Sequence, residues 1–226
     1  FDTVVSSQAC GSFTYSGQPF TLDVLARNAA GGTTANYDGT SNTAPNHAKS
    51  VTLTAATQGN TGSLSNGWVA SSRFGAGLAR LTRTPAFTFT NKLTAPTTVV
   101  IRATDSDGVS SSAGTAEAAV ALRSGRLRVS NAFGSEKGPL QLPVQAHHWN
   151  GRAWVLNSDD SCTAIPSASV ARSGYADSRG APTAAWTTTS FSGPERSTPS
   201  CTWTRPRVVN LTAFDTRFSR ICRTRP

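Results

Sequence analysis

The sequence lacks any apolar run long enough to cross a bilayer, and it lacks the basic and then apolar segment of a signal peptide. Charged residues make up only 15% of its 226 residues. The chain begins at Phe1, and we interpret it as a mature or excised part of a longer precursor. We therefore expect a secreted chain without a membrane span.

Motifs that mark common enzymes are also missing. There is no nucleophile elbow, phosphate loop, dinucleotide fingerprint or zinc-binding H-E-x-x-H. The three histidines, His47, His147 and His148, leave few candidates for a general base. Neighbouring strand residues point to opposite faces, so His147 and His148 cannot share one metal ion in a regular strand. We expect no catalytic site, no metal and no cofactor.

The four cysteines form no C-x-x-C pair, which argues against a zinc site and against a thioredoxin-like redox site. In an exported chain, four cysteines indicate two disulfides. Three pairings are open at this point for the set Cys10, Cys162, Cys201 and Cys222.

The net charge of +9 is unevenly spread. Residues 1–162 carry 12 Lys and Arg against 9 acidic residues, and residues 163–226 carry 9 Arg against 3. Clustered arginines would suit a polyanion such as nucleic acid or lipopolysaccharide. These arginines are scattered, which favours a solvated surface, and we expect no nucleic-acid partner.

Short alternating runs separated by turn residues dominate the first half. In residues 20–27 the apolar side chains Phe20, Leu22, Val24 and Ala26 fall on one face of a strand, and we expect the other face to be exposed to solvent. Further strands are predicted at 51–54, 86–89, 98–102 and 118–122, with loops at 59–67 and 105–115. The spacing predicts an all-β chain of two immunoglobulin-like β-sandwich modules in tandem, at residues 1–124 and 125–226.

In the second half, strands are predicted at 126–131 and 140–144, and more weakly at 184–187, 208–211 and 216–222. Asn150-Gly151 lies between two strand-like runs and predicts a type I′ hairpin. A two-residue turn places Trp149 opposite Arg152 and His147 opposite Trp154, all on one face. That face is either an exposed platform for a sugar or a partner domain, or part of the core, where large aromatics usually lie.

Two acidic stretches resemble the start of a calcium loop. They are Asp105-Ser106-Asp107-Gly108 and Asn157-Ser158-Asp159-Asp160. Alternating carboxylates before a glycine suit a hard cation, but the first stretch lacks the glutamate of an EF-hand at the twelfth position, where Ala116 stands. An ordinary Asx-type turn is the favoured interpretation of both stretches.

Several strings resemble the C-terminal region of MshQ-like proteins, which are encoded with the mannose-sensitive haemagglutinin type IV pilus of Gram-negative bacteria. They are residues 9–20, 26–28, 36–39, 127–136, 149–151 and 159–162. The resemblance covers residues 1 to about 165. It implies a large pilus-associated surface protein with a C-terminal region of unknown function and no catalytic residues to transfer.

Together these features favour a structural or adhesive module at the bacterial cell surface, with pilus proteins, other surface proteins or a glycan as partners. The alternative is an extracellular filament subunit that joins its own copies by strand addition. Because Cys10 and Cys162 lie in the family-like part and Cys201 and Cys222 in the tail, the resemblance implies the pairs Cys10–Cys162 and Cys201–Cys222.

Overall fold

The structure, a computed structural model, describes residues 1–40, 46–56, 62–111, 116–130 and 143–165. It also describes the backbone of short strands at 140–141, 175–177, 191–192, 200–201 and 209–211. This part of the chain is all-β, with several sheets and one 3-10 turn at Ser71–Arg73. Within these residues, no helix has the length and apolar character needed to span a membrane.

Ten strands precede residue 124. They are β1 (Asp2–Ser7), β2 (Thr14–Tyr15), β3 (Thr21–Leu25), β4 (Val51–Ala55), β5 (Gly62–Ser65), β6 (Trp68–Val69), β7 (Leu78–Leu81), β8 (Ala86–Phe89), β9 (Thr97–Asp105) and β10 (Ala118–Arg123).

Nine more strands follow. They are β11 (Gly125–Val129), β12 (Leu140–Gln141), β13 (Val144–Trp149), β14 (Trp154–Leu156), β15 (Ala164–Ile165), β16 (Tyr175–Asp177), β17 (Phe191–Ser192), β18 (Ser200–Cys201) and β19 (Val209–Leu211).

The chain divides into two compact units, and the boundaries between them fall inside β11, β13 and β14. The first unit contains Phe1–Gly125 and His148–Trp154, and the second contains Arg126–His147 and Val155–Pro226.

Two sheets make up most of the first unit. One has the strand order β1-β3-β7, and the other has the order β2-β10-β9-β4-β6. Neighbours in both sheets run antiparallel, except that β2 lies parallel to β10. A separate antiparallel ladder joins β5 to β8.

One hydrophobic core contains residues from both of these sheets, because each strand turns its alternate apolar side chains to the same interior. The four residues predicted for the core face at 20–26 are all buried. In β10 the same period of two buries Ala118, Val120 and Leu122. The prediction that alternation marks the core face is therefore confirmed for these strands.

Thr3 in β1 links the two sheets by hydrogen bonds. Its hydroxyl donates to the Ile101 carbonyl at 2.8 Å and accepts from the Ala118 amide at 2.7 Å. The Thr3 amide donates to the Ala116 carbonyl at 3.0 Å. The side chain is only 2% exposed, so these bonds satisfy polar groups that water does not reach.

The expectation that the polar face of the strand at 20–27 is exposed to solvent is wrong at Asp23. This residue is buried at 7% exposure because Arg80, directly opposite on β7, holds its carboxylate with two hydrogen bonds of 2.8 and 2.7 Å. A carboxylate held by a bidentate arginine tolerates loss of water that a lone carboxylate does not.

Strands β11, β13 and β14 form a three-stranded sheet whose residues are divided between the two units. Two-stranded ladders join β12 to β18, β15 to β17 and β16 to β19. Two hydrogen bonds set the β11–β13 register: Ser130 to the Pro143 carbonyl and Trp149 to the Ser124 carbonyl, both 3.0 Å. Val144 and Ala146 on one face of β13 are buried.

Most predicted strands are present with shifts of a few residues at their ends. The predicted loop at 59–67 is wrong, since β5 occupies Gly62–Ser65. Alternation is weak there because Gly62, Ser63 and Ser65 surround a single leucine, Leu64. The weak prediction at 208–211 corresponds to β19, and those at 184–187 and 216–222 lie outside the described residues.

Candidate functional site

The hairpin between β13 and β14 differs from the sequence prediction in its register. The Asn150 amide donates to the Ala153 carbonyl, and the Asn157 amide donates to the Ala146 carbonyl. Trp149 therefore stands opposite Trp154, and the turn is centred on Gly151 and Arg152. The predicted pairs of Trp149 with Arg152 and of His147 with Trp154 are wrong.

The side chain of Asn150 explains the shift. Its Oδ1 accepts hydrogen bonds from the amides of Arg152 and Ala153, both at 2.9 Å. Asn150 therefore caps the turn and is not one of its two central residues. A type I′ turn at Asn150-Gly151 requires positive φ at both residues. Gly151 has a φ of 101°, whereas the described non-glycine residues with positive φ are Asn66, Ala76 and Arg83.

The structure brings two of the four predicted platform residues into direct contact. The rings of Trp149 and Trp154 meet edge to face with centroids 5.7 Å apart, and both side chains are half-buried. Arg152 is exposed in the turn. His147 is buried, and its Nε2 lies 3.2 Å from Oε1 of Gln145.

The half-buried tryptophans fit neither the core interpretation nor the platform interpretation fully. A core tryptophan has little exposed surface, and a tryptophan on an open platform has much. The tip of the hairpin, His148–Trp154, belongs to the first unit. There the Trp149 amide donates a hydrogen bond to the Ser124 carbonyl. The tip also lies close to Ala95, because a Cβ placed on Gly151 would be in van der Waals contact with Cβ of Ala95, at 3.5 Å. The platform remains a prediction.

Two arginines lie on the same face of the sheet as His147 and were not identified from the sequence. The β11–β13 register places Arg126 opposite His147 and Arg128 opposite Gln145. Both arginines are exposed. Alternation in Arg126-Leu127-Arg128-Val129 indicates the face that they share, but only the register shows which residues of β13 they accompany.

A second surface, also missed from the sequence, lies on the outer face of the five-stranded sheet. Trp68 is 65% exposed on β6, the last strand in that sheet's order. Its neighbour Val69 is buried, so Trp68 points away from the core. The signal that could have located it is Asn66-Gly67, a turn dipeptide directly before the tryptophan.

Strand register places four polar residues beside Trp68. Thr52 on β4 is opposite Trp68 on one side and opposite Thr104 of β9 on the other, and Thr54 is opposite Arg102. None of the four is buried. We call this surface the Trp68 face; its members are Thr52, Thr54, Trp68, Arg102 and Thr104.

An ion pair fixes Arg102 on this surface. Its Nε donates to Oε1 of Glu117 at 2.8 Å, and the buried Ser111 hydroxyl donates to the same oxygen at 2.8 Å. The hydrogen bond from Arg102 is the main reason that the pKa of Glu117 falls below its usual value. The carboxylate therefore stays charged to a lower pH than an ordinary glutamate does.

Both acidic stretches form side-chain-capped turns, as predicted. Oδ1 of Asp105 accepts the amides of Asp107 and Val109 at 3.0 and 2.9 Å. Oδ1 of Asp160 accepts the amides of Cys162 and Thr163 at 3.0 and 2.8 Å. Backbone amides thus occupy carboxylate oxygens that a calcium loop would turn toward the ion.

The cysteine prediction is confirmed for its first pair. The structure contains the disulfide of Cys10 and Cys162, and no described cysteine is free. The predicted pair Cys201–Cys222 lies outside the residues whose side chains the structure describes.

The fold and these surfaces define a disulfide-bonded all-β chain of two units. The chain belongs to the DUF6701 family: residues 2–126 match its third domain and residues 123–215 match its fourth. This family is uncharacterised, and the match carries no link to MshQ or to pili. Comparison with curated proteins and with solved structures gives no match.

Proposed function

We propose that the chain is a non-enzymatic structural or adhesive module of a pilus-associated protein at the bacterial cell surface. Its two units are immunoglobulin-like β-sandwich modules in tandem. The observation that carries the proposal is the strand order of the first unit. The pilus association rests on the sequence strings in residues 1–165 that resemble MshQ-like proteins.

The strand order of the first unit supports an immunoglobulin-like arrangement. In immunoglobulin domains strands A, B and E lie in one sheet, and G, F, C and C′ lie in the other. The sheet β1-β3-β7 corresponds to A-B-E, and the run β10-β9-β4-β6 corresponds to G-F-C-C′. A core shared by both sheets is the arrangement that such a sandwich requires.

The disulfide supports export. Disulfides persist in oxidising compartments and are rare where glutathione keeps thiols reduced. A bond between Cys10 and Cys162 closes most of the described chain into one covalent loop. A surface protein gains from such a loop because it lowers the entropy of the unfolded chain.

The polar clusters of the first unit support a structural role over a catalytic one. Asp23 is held by Arg80, Glu117 by Arg102 and Ser111, and Asp2 by Arg27 at 2.7 Å. Each cluster joins neighbouring strands or loops of one domain. We propose that no hydrolytic activity resides in this part of the chain.

Most edge strands of the described three- and five-stranded sheets are too short to favour the filament alternative. Strand addition needs a run of backbone groups at an open edge. The edge strands β2, β6, β7 and β14 have only two to four residues, whereas the edge strands β1 and β11 have six and five. Part of the β1 edge is already occupied, because the Thr3 amide donates to the Ala116 carbonyl. Residues with positive φ, Ala76 and Arg83, flank β7 and limit its extension.

Surface labelling of the bacterium that encodes the protein tests the proposal. An antibody against residues 1–124 should label intact cells, and permeabilising the outer membrane should add little signal. A periplasmic marker, labelled only after permeabilisation, is the control. Signal that depends on permeabilisation contradicts the proposal. Electron microscopy of the purified chain tests the alternative, since regular fibres would support a filament subunit.

A further inference from the structure

The Trp68 face combines an exposed indole with rows of hydroxyl groups. Trp68 and Thr52 face each other across β6 and β4, and Thr104 continues the row on β9. The Thr104 hydroxyl also donates to the Ser110 hydroxyl at 3.2 Å. Strands lie about 4.8 Å apart, so the row from Trp68 to Thr104 spans roughly 10 Å.

We propose that the Trp68 face binds a neutral oligosaccharide of at least two sugar rings. A sugar ring has an apolar face of C–H groups and a rim of hydroxyls. The indole of Trp68 stacks on the apolar face of one ring, as large aromatics do with flat partners. The hydroxyls of Thr52 and Thr104, each both a donor and an acceptor, bond the rim.

Arg102 provides the polar contact for the second ring. An arginine carries five N–H donors, and Glu117 receives hydrogen bonds from Nε and Nη2. Further N–H groups of the same guanidinium remain available on a side chain that is 37% exposed. The ion pair holds the guanidinium in place before the sugar arrives, which lowers the entropy lost on binding.

Charge balance identifies the ligand as neutral. Arg102 is paired with Glu117, and Lys49 lies 3.4 Å from Asp107 near the same end of the sheet. No uncompensated charge therefore remains at these positions to select an anion. The hydroxyl side chains around Trp68 also differ from the centre of a protein interface, where apolar residues surround the buried aromatic anchors.

The inference deepens the adhesive role proposed above and rests on it only for access to external glycans. The test uses the purified chain on an array of neutral oligosaccharides, with sulfated and sialylated oligosaccharides on the same array. We expect binding to at least one neutral oligosaccharide and to no anionic one beyond background. Calorimetry with that oligosaccharide then compares the variants.

Trp68→Ala should weaken binding at least tenfold, and Trp68→Phe should recover part of the loss because its ring still stacks. Leu93→Ala, which removes another half-exposed apolar side chain away from this face, is the matched control and should change nothing. The melting temperature of all three variants should stay within about 2 °C of the parent, since exposed substitutions rarely affect stability.

The inference is overturned by an array without neutral binding, by preferential binding of anionic oligosaccharides, or by unchanged affinity of Trp68→Ala. It is also overturned if the purified chain self-associates and Trp68→Ala abolishes that association, because a second copy would then be the occupant. These results with purified protein are separate from cell labelling. Failure of this inference therefore leaves the surface location open to its own test.

Discussion

Replacing Thr3 by valine removes one hydroxyl from the junction of the two sheets while keeping the side-chain shape. The Ala118 amide then loses its acceptor, and the Ile101 carbonyl loses the Thr3 hydroxyl as a donor. An unsatisfied buried amide costs about 1–3 kcal/mol, and the added methyl group offsets part of this. We expect a loss of about 2 kcal/mol, or roughly 4–8 °C in melting temperature.

Urea denaturation of the parent and of the variants measures the loss, and amide hydrogen exchange at Ala118 locates it. Thr3→Ser keeps the hydroxyl and should lose only about 1 kcal/mol, because one methyl group is missing. Thr98→Val makes the same change at an exposed position of β9 and should be nearly neutral. Equal stability of Thr3→Val and Thr98→Val, with unchanged exchange at Ala118, would refute the role given to Thr3.

Three further predictions concern acid, redox state and the hairpin. The folded-state pKa of Glu117 is lowered, so its contribution to stability is present above the unfolded pKa and is lost as pH falls through the folded value. Melting curves between pH 6 and 2 should show the advantage of the parent over Glu117→Gln shrinking below about pH 4.5, and a constant difference would contradict this. Changing Cys10 and Cys162 together to serine should lower unfolding free energy by about 4–5 kcal/mol, measured by denaturation without reductant; an unchanged midpoint would show that the bond does not constrain the unfolded chain. Trp154→Ala should lower the free energy of unfolding by about 2 kcal/mol, between the values for a core and for a surface residue, because the side chain is half-buried against Trp149. A loss above about 4 kcal/mol in denaturation would rule out the platform interpretation.

Alternation predicted the core strands because it reports directly on burial. At Phe20, Leu22 and Val24, every second residue is apolar, and the structure buries all three. The same signal cannot be detected in β2 and β6, which have two residues each. Pairing with distant strands, and not local pattern, defines these short elements. That is why the exposed Trp68 was missed.

The hairpin shows a second limit of local inference. Asn-Gly correctly predicts a reversal at 150–153, but the side chain of Asn150 caps the turn and moves the register. A shift in register changes every cross-strand pair, so the predicted partners of Trp149 and His147 were wrong while the reversal was right. The burial of Asp23 was missed for a related reason, because Arg80 lies 57 residues away in the sequence.

The most direct test of the proposed function is the protein content of pili sheared from the cell surface. Mass spectrometry should detect peptides of this chain in the sheared fraction of parent cells, and these peptides should disappear from that fraction when the major pilin gene is deleted. Lysis is monitored with a cytoplasmic marker in both fractions. Equal amounts of the chain in the sheared fractions of both strains, or its recovery only with the cytoplasmic marker, would contradict a pilus-associated surface module.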